Sequence, residues 1–353
     1  MTLFQTVMER KYRTLSVIGL AKNVGKTTTL NYLMEEARRE GSLRLGITSS
    51  GWDGEAYDSI TGQPKPRIIT PTGALIATTR NCLAASTLNY RIAKETGMST
   101  SLGEVLIIEC TGEGRVEVAG PTTISELCEV REMMSALGAD LILFDGALNR
   151  KASASPQVCQ AMILATGMNA GYNLEEVMRT TTFWLEIFSL PVWEGEKPFL
   201  SGIGNGKALI LEKNGRICST CTPVEIRDGT GLPEAFDGMV FLPGALTEAL
   251  CEGLFKVQGS FDIMIEDATR VFISPQSLRR LKKKGSRIIQ MSRTDIVGVT
   301  VNPISSSGRG YDAHEFLRTF ADIFHGIPIW DIVLGEGLER SDEGKVKAGQ
   351  EHD

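Results

Sequence analysis

From Thr14 to about Leu190, short apolar runs alternate with longer stretches in which apolar residues recur every three or four positions. An apolar run bounded by turn residues reads as a strand buried on both faces, and the longer periodicity reads as an amphipathic helix. Strands are predicted at Thr14–Leu20, Arg44–Thr48, Val105–Glu109, Leu141–Phe144 and Met162–Leu164, and helices at Lys26–Glu40, Ser125–Leu137 and Leu174–Phe188. On the first helix Leu30, Leu33, Met34 and Ala37 share one face. Strand and helix in alternation predict an α/β fold with a mostly parallel, doubly wound sheet. Gly112, Gly114, Gly120 and Pro121 predict an irregular edge after the third strand.

Between Pro191 and Gly206 the chain packs two prolines and four glycines into PVWEGEKPFLSGIGNG. A domain boundary is expected there, separating residues 1–190 from a second α/β region over 207–334. In that region Lys207–Glu212 and Arg216–Thr220 flank Asn214-Gly215, a hairpin signal. Strands at Gly238–Leu242, Phe261–Ile265, Arg270–Ile273, Arg287–Met291 and Ile296–Asn302 follow, with helices starting at Thr247 and at Ser274-Pro275. Residues 335–353 are polar and mixed in charge, and are expected to form a disordered tail.

Composition narrows the classes without choosing among them. The 353 residues carry 37 Lys and Arg against 43 Asp and Glu, a formal net charge of −6. An acidic balance argues against a general binder of nucleic acid or anionic membranes. Length above the roughly 250 residues at which single cores stop growing favours two domains. The seven cysteines are odd in number and scattered, unlike a secreted disulfide scaffold, so they read as reduced thiols. MTLFQTVMERKYRTL has charges where a signal peptide needs its apolar run, and no stretch approaches ~18 uninterrupted apolar residues. A cytoplasmic protein without a membrane segment is the expectation.

The most specific chemistry lies between the first strand and the first helix. Gly19-Leu20-Ala21-Lys22-Asn23-Val24-Gly25-Lys26-Thr27 satisfies the phosphate-binding pattern G-x-x-x-x-G-K-[ST]. Glycines let backbone N–H groups curl around phosphate oxygens, and the helix directs its positive end at the anion. Lys26 adds a point charge on the β- and γ-phosphates, and the Thr27 hydroxyl is placed to ligate Mg²⁺. Gly19, Lys22, Asn23, Val24, Gly25, Lys26, Thr27 and Thr28 are therefore the nucleotide-binding candidates.

Such a loop needs an acidic partner on a nearby strand, and Leu141-Ile142-Leu143-Phe144-Asp145-Gly146 ends in Asp145. Asp145 is the candidate for Mg²⁺ and for orienting water, the alternative being a cap on the turn at Gly146. Asp53, in Ser49-Ser50-Gly51-Trp52-Asp53-Gly54-Glu55 after the second strand, would emerge near the phosphates. It is read as a third catalytic candidate, serving metal, water or ribose, with turn chemistry as the alternative. Thr111–Arg115 is expected as a further loop at the same sheet edge, with Arg115 an exposed residue or a phosphate contact.

Gly19–Thr27 with Lys22 inside the loop and Asp145 on a later strand resembles the P-loop NTPase superclass of dethiobiotin synthetase and the MinD-type ATPases. The resemblance covers about the first half of the chain and implies ATP and Mg²⁺ as cofactors. In MinD-type ATPases a signature lysine stands five residues before the loop lysine. Ala21 occupies that place here and Lys22 comes one residue late, so activation by dimerisation through that lysine is not implied. GLAKNVGKTTTLN, GITSSGWDGEAYD, QPKPRI, ILFDGALNRKA and VTVNPISSSGRGYDAHEF together resemble the P-loop subunit of the lysine 5,6-aminomutase reactivating factor. That similarity implies an ATP-driven chaperone which works with a MutS-like ATPase partner and exchanges damaged cobalamin in an adenosylcobalamin-dependent aminomutase. Lys26, Thr27 and Asp145 carry over as nucleotide and Mg²⁺ residues, and no cobalamin ligand does. The alternative is an ATP-dependent small-molecule ligase or kinase of the dethiobiotin-synthetase type; a third reading is a nucleotide-binding regulator without catalysis. Lack of an Asn-Lys-x-Asp guanine-reading run tilts the choice toward ATP over GTP.

Other features carry less. Cys218 and Cys221 form a lone C-x-x-C without two further ligands at zinc spacing, and read as small apolar residues. Arg279, Arg280, Lys282, Lys283 and Lys284 lie before Gly285 at the end of a helix, where cations suit the helix dipole. Docking of a partner ranks second for this run and nucleic acid third. The loop Ser305–Gly310 is equally consistent with anion or partner contact and with a plain connection. His314 and His325 read as surface or packing residues.

Overall fold

A computed structural model describes residues 1–52, 68–195 and 206–340 and the backbone of 346–350. The chain divides into two compact units, residues 1–182 with 294–353, and residues 183–293.

The first unit opens with α1 (Leu3–Glu9), β1 (Thr14–Gly19), α2 (Lys26–Glu40), β2 (Leu45–Ser49), β3 (Ile68–Thr70), β4 (Leu75–Thr79) and α3 (Arg80–Ala84). β5 (Tyr90–Thr100), β6 (Gly103–Cys110), β7 (Gly114–Val116), α4 (Ile124–Ala136), β8 (Leu141–Ala147), β9 (Ala161–Gly167) and α5 (Leu174–Phe188) follow, the last turns of α5 from Phe183 belonging to the second unit. The second unit holds β10 (Ala208–Leu211), β11 (Ile217–Cys221), α6 (Pro223–Asp228), β12 (Met239–Leu242), β13 (Leu246–Thr247), α7 (Glu248–Lys256), β14 (Asp262–Ile265), β15 (Val271–Phe272), α8 (Pro275–Lys283) and β16 (Ile288–Gln290). The chain then returns to the first unit as β17 (Asp295–Asn302), α9 (Ala313–Ile323), β18 (Ile329–Asp331), β19 (Glu336–Arg340) and β20 (Val346–Gln350).

Eleven strands form the main sheet in the order β20-β19-β18-β17-β9-β1-β8-β2-β4-β6-β5. The seven from β18 to β4 are parallel, and antiparallel strands extend both edges. This is the mixed α/β fold with a mostly parallel central sheet that the alternating pattern predicts. Its double winding follows from the two-residue period of a strand. On β8, Leu141 and Leu143 pack into the layer shared with α1 and α2, through Leu3, Val7, Leu30 and Leu33. Ile142 and Phe144 pack into the opposite layer with Leu127, Val130 and Met134 of α4. β1 and β9 are buried along their whole length, as interior parallel strands must be. α2 ends where Gly41 takes a φ of +70°, a left-handed cap that suits glycine.

In the second unit the order is β11-β10-β12-β14-β16, with β12, β14 and β16 parallel. The expected hairpin forms between β10 and β11. Only Gly215 of its turn takes a positive φ, +86°.

Three sequence expectations are revised. Strand β17 does not belong with the second unit: it pairs in parallel with β9, and the Tyr12 hydroxyl donates to Asp295 at 3.0 Å. The first unit therefore closes with residues from both ends of the chain, and the boundaries fall at 182/183 and 293/294 instead of within 191–206; residues 196–205 of that segment lie outside the described ones. Residues 336–340 and 346–350 are paired strands instead of a disordered tail, because β18 offers β19 an open edge for backbone hydrogen bonding. Finally, β6 runs antiparallel to β4, with Glu109 opposite Leu75 at the start of β4. Thr111 thus emerges at the amino-terminal end of the parallel strands, away from the loop of β1, and Arg115 lies in the short β3–β7 ribbon opposite Ile69.

The return path from β7 depends on one close approach. A Cβ at Gly120 would stand 2.1 Å from the Ser49 carbonyl oxygen and 2.6 Å from Thr48 Oγ1. Gly120→Ala is therefore expected to destabilise the first unit by ~1–3 kcal/mol, the usual cost of forcing atoms into a filled space, read as a lowered melting temperature. An unchanged melting temperature would contradict this packing.

Candidate functional site

β1 lies between β8 and β9, and its outgoing loop leaves where the chain's winding changes side: α2 leads toward β2, whereas β9 follows β8 on the opposite flank of β1. Ligands gather outside the carboxyl ends of the strands at such a switch point. Two flanking contacts fix where the loop starts. Leu20 N–H donates to the Ala165 carbonyl at 2.9 Å and Leu148 N–H to the Gly19 carbonyl at 3.3 Å. Asn23 then adopts a φ of +57° and Gly25 one of +90°. A β-carbon at Gly25 would meet nothing nearer than Asn302 Cβ at 3.6 Å, so backbone conformation, not space, calls for glycine there.

Gly25 is also the cap residue of α2, and no side chain caps it. The first N–H groups of a 15-residue helix thus face the loop without a capping side chain, which is the arrangement that receives anions. The helix is pinned in place by Thr29, whose N–H and hydroxyl reach the Gly25 carbonyl at 2.9 and 3.1 Å and whose hydroxyl lies 3.0 Å from that of Thr300 on β17. Val24 is buried, Lys22, Asn23 and Thr28 are exposed, and Lys26 and Thr27 are half-buried.

At the first helical position, Lys26 Nζ is 2.9 Å from Asp145 Oδ1. Asp145 stands opposite Val17 of β1 and Ser49 of β2 near the carboxyl end of β8. Gly146 after it is closely packed: a Cβ would stand 2.3 Å from Ile18 Cδ1 and 2.4 Å from Ser153 Oγ, so both side chains would have to move. Both charged side chains keep a minority of their surface exposed, 16% and 19%, so the pair is shielded yet reachable by a solvent-borne anion. Lys26, at the first position of α2, and Asp145, on β8, are brought together; Thr27 follows Lys26 on the helix. The donor set suits a polyphosphate with Mg²⁺: a lysine cation, a hydroxyl, a carboxylate and a helix N-terminus.

Asp53 lies outside the described residues. The segment leading to it is well held: Ser50 N–H donates to the Asp145 carbonyl at 3.1 Å, the Ser50 hydroxyl to the Arg150 carbonyl at 3.0 Å, and Gly51 N–H to the Pro121 carbonyl at 3.1 Å. Arg150 Nη1 donates to the Trp52 carbonyl at 2.8 Å, and Trp52 Nε1 to Glu117 Oε1 at 2.7 Å.

Asn169, just beyond β9, and Asn302, the last residue of β17, are the site residues that sequence reasoning missed. Their side-chain Nδ2 atoms donate to the Asn23 carbonyl at 2.9 and 3.2 Å. Neither belongs to the loop motif, and no spacing pattern links residues 146 and 279 positions from Asn23. The Ser305–Gly310 loop joins this arrangement, because Ser306 N–H and hydroxyl both donate to Asn169 Oδ1 at 3.1 Å.

The weaker sequence features resolve simply. Among the described residues no group of three or more His, Cys, Asp and Glu side chains could hold a metal. Cys221 and Cys251 are buried; burial raises the Cys221 thiol and pushes that of Cys251 up to about 12, while Cys218 is exposed. Arg280 pairs with Glu252 at 2.7 Å and sits over the Phe255 ring at 3.7 Å, and Lys282 pairs with Glu186. Much of the basic run is thus used within its own unit. His314 Nδ1 lies 3.1 Å from Glu336, and His325 contacts the Asp322 carbonyl at 3.0 Å. Among the described residues no helix is long and apolar enough to cross a membrane.

No family model and no curated protein matches the chain. Among solved structures, it is similar to signal recognition particle receptor FtsY from Elizabethkingia anophelis, at 10% identity and a TM-score of 0.26 over 90% of this chain and 70% of that one. A likeness at that score carries no argument about what the chain does.

A thiol is alkylated through its thiolate, and at pH 8 a group with a pKa near 12 is ionised only in about one molecule in 10⁴. Treatment of the native protein with iodoacetamide at pH 8 should therefore label Cys218 first and leave Cys251 unmodified until denaturant is added. Peptide mapping that finds Cys251 labelled as fast as Cys218 would refute the burial assigned to it.

Proposed function

We propose that this chain binds a nucleoside triphosphate with Mg²⁺, hydrolyses it, and uses the cycle to remodel a protein partner. The observation that carries the nucleotide reading is the meeting of Lys26, at the uncapped start of α2, with Asp145 at a strand end 2.9 Å away. A lysine whose partner is a carboxylate can exchange that partner for phosphate oxygens, and a carboxylate so released is free to take a metal or a water. In this reading Lys26 neutralises charge on the β- and γ-phosphates, Thr27 and Asp145 hold Mg²⁺, and Asp145 orients the attacking water. Bound Mg²⁺ would supply further neutralisation of the transferred phosphoryl group. ATP is favoured over GTP because the sequence has no Asn-Lys-x-Asp run.

The partner is the finer part of the proposal. What supports a reactivase, a chaperone for a cobalamin-dependent aminomutase acting with a MutS-like ATPase, is the sequence resemblance in GLAKNVGKTTTLN, ILFDGALNRKA and VTVNPISSSGRGYDAHEF.

The test is phosphate release from Mg-ATP and Mg-GTP. Lys26→Ala should lower the rate roughly 10²–10³-fold, the scale of losing one preorganised charge contact at the transferring group. Asp145→Asn should reduce turnover more than nucleotide affinity. Stimulation by an inactivated aminomutase with its MutS-like partner, together with recovery of mutase turnover, is the outcome expected for a reactivase. Turnover indifferent to those proteins but dependent on a metabolite would replace it with a small-molecule ligase or kinase.

A further inference from the structure

The Asn23 carbonyl is gripped from outside the loop by two side chains, one just beyond β9 and one at the end of β17. Asn169 Nδ2 reaches it at 2.9 Å and Asn302 Nδ2 at 3.2 Å. The orientation of each amide is fixed independently at its other end. Asn169 Oδ1 accepts from Ser306 N–H and hydroxyl, and Asn302 Oδ1 accepts from Ile304 N–H at 3.1 Å. A backbone N–H can only donate, so the oxygen end of each amide belongs there and the NH₂ end is left for the carbonyl. Close strand packing brings Asn302 to this position: a Cβ on Gly167 would stand 2.3 Å from the Asn302 carbonyl oxygen.

A planar trans peptide carries its N–H on the side opposite its carbonyl. The carbonyl of Asn23 is drawn toward the ends of β9 and β17. The Val24 N–H of the same peptide is therefore turned away from Asn169 and Asn302. Asn23 itself takes a φ of +57°, a left-handed conformation that asparagine adopts more readily than other residues with a side chain. Two donors on one carbonyl add to the hold on this peptide.

We propose that Asn169 and Asn302 are positioning residues that set the Asn23–Val24 peptide so that Val24 N–H faces the phosphates, and that through Asn169 and Ser306 they couple phosphate occupancy to the Ser305–Gly310 loop. The inference rests on the nucleotide reading and adds residues and a linkage that the loop motif does not contain. The coupled loop is itself a built turn, closed by Ser305 N–H to the Arg309 carbonyl at 2.7 Å and Gly308 N–H to the Ser305 carbonyl at 3.0 Å. Arg309 Nη1 also donates to the Tyr172 carbonyl at 3.2 Å, which ties the turn to the segment after Asn169 a second time. By linkage, a phosphate group that favours the clamped peptide must also favour the clamped turn.

The experiment measures binding of Mg-ATP and of inorganic pyrophosphate by the full chain, beside its melting temperature without ligand. The variants are Asn169→Ala, Asn302→Ala, both together, and Asn169→Asp, which keeps an acceptor for Ser306 but loses the donor to Asn23. Each single substitution is expected to weaken both ligands ~tenfold. The pair should weaken them by less than the product of the singles, since both act on one carbonyl. Amide exchange at 304–310 should slow when Mg-ATP is added to the parent protein and not to Asn169→Ala. Pyrophosphate, which has no base, separates an effect on the phosphate cradle from one on a base or ribose contact.

Affinities within twofold of the parent would overturn the clamp, as would losses that multiply fully or that track a lowered melting temperature. Exchange at 304–310 that ignores nucleotide would overturn the coupling. If the parent chain and Lys26→Ala alike fail to bind either ligand, the nucleotide reading falls and the clamp with it. If the parent binds, Lys26→Ala does not, and the asparagine variants match the parent, only the clamp falls.

Discussion

The Lys26 ammonium and the Asp145 carboxylate meet because two parallel strands, β1 and β8, lie side by side and end at the same level, one continuing into a helix and the other into a turn. Everything around the site serves that alignment. Burial of β1 on both faces fixes its height in the sheet, the left-handed Gly25 starts α2 one residue before Lys26, and the missing side chain at Gly146 lets the chain beyond Asp145 pass close to Ile18 and Ser153. Misplace any one of these and the two charges would separate, each losing the partner that offsets its partial burial.

The first unit is closed by a segment remote in sequence. After the second unit, the chain comes back to lay β17 against β9, and with it come Thr300 against Thr29 and Asn302 against the Asn23 carbonyl. The loop between β1 and α2 is therefore flanked on one side by the charge of Asp145 on β8, and held on the other by the amides of Asn169, just beyond β9, and Asn302 on β17. The division has chemical sense. A carboxylate can exchange with a phosphate or take a cation, while neutral amides can fix a backbone carbonyl without adding a net charge beside an anion.

Sequence alone determined the parts whose information is local. The limits of α2 and α5 were legible because their apolar spacing and, for α2, its flanking glycines are encoded within a few residues. So were the loop motif and the strand that carries Asp145, which runs on to Ala147, since apolar run, acid and glycine are consecutive. The hairpin around Asn214-Gly215 was equally readable from its turn residues.

Pairing between distant segments was decided only by the tertiary structure. A strand's pattern states that it is buried but not beside which neighbour, so β17 read as the last strand of the second unit when it belongs to the first. Direction was hidden for the same reason: the apolar run of β6 is the same read either way, and only its pairing with β4 put Thr111 at the far end of the sheet. The polar stretch after Gly335 lacked an apolar signal because edge strands are held by backbone hydrogen bonds that composition does not record. Asn169 and Asn302 are ordinary strand-end asparagines in one dimension; sheet order makes them neighbours of a single carbonyl, and hydrogen-bond geometry gives that meeting its meaning.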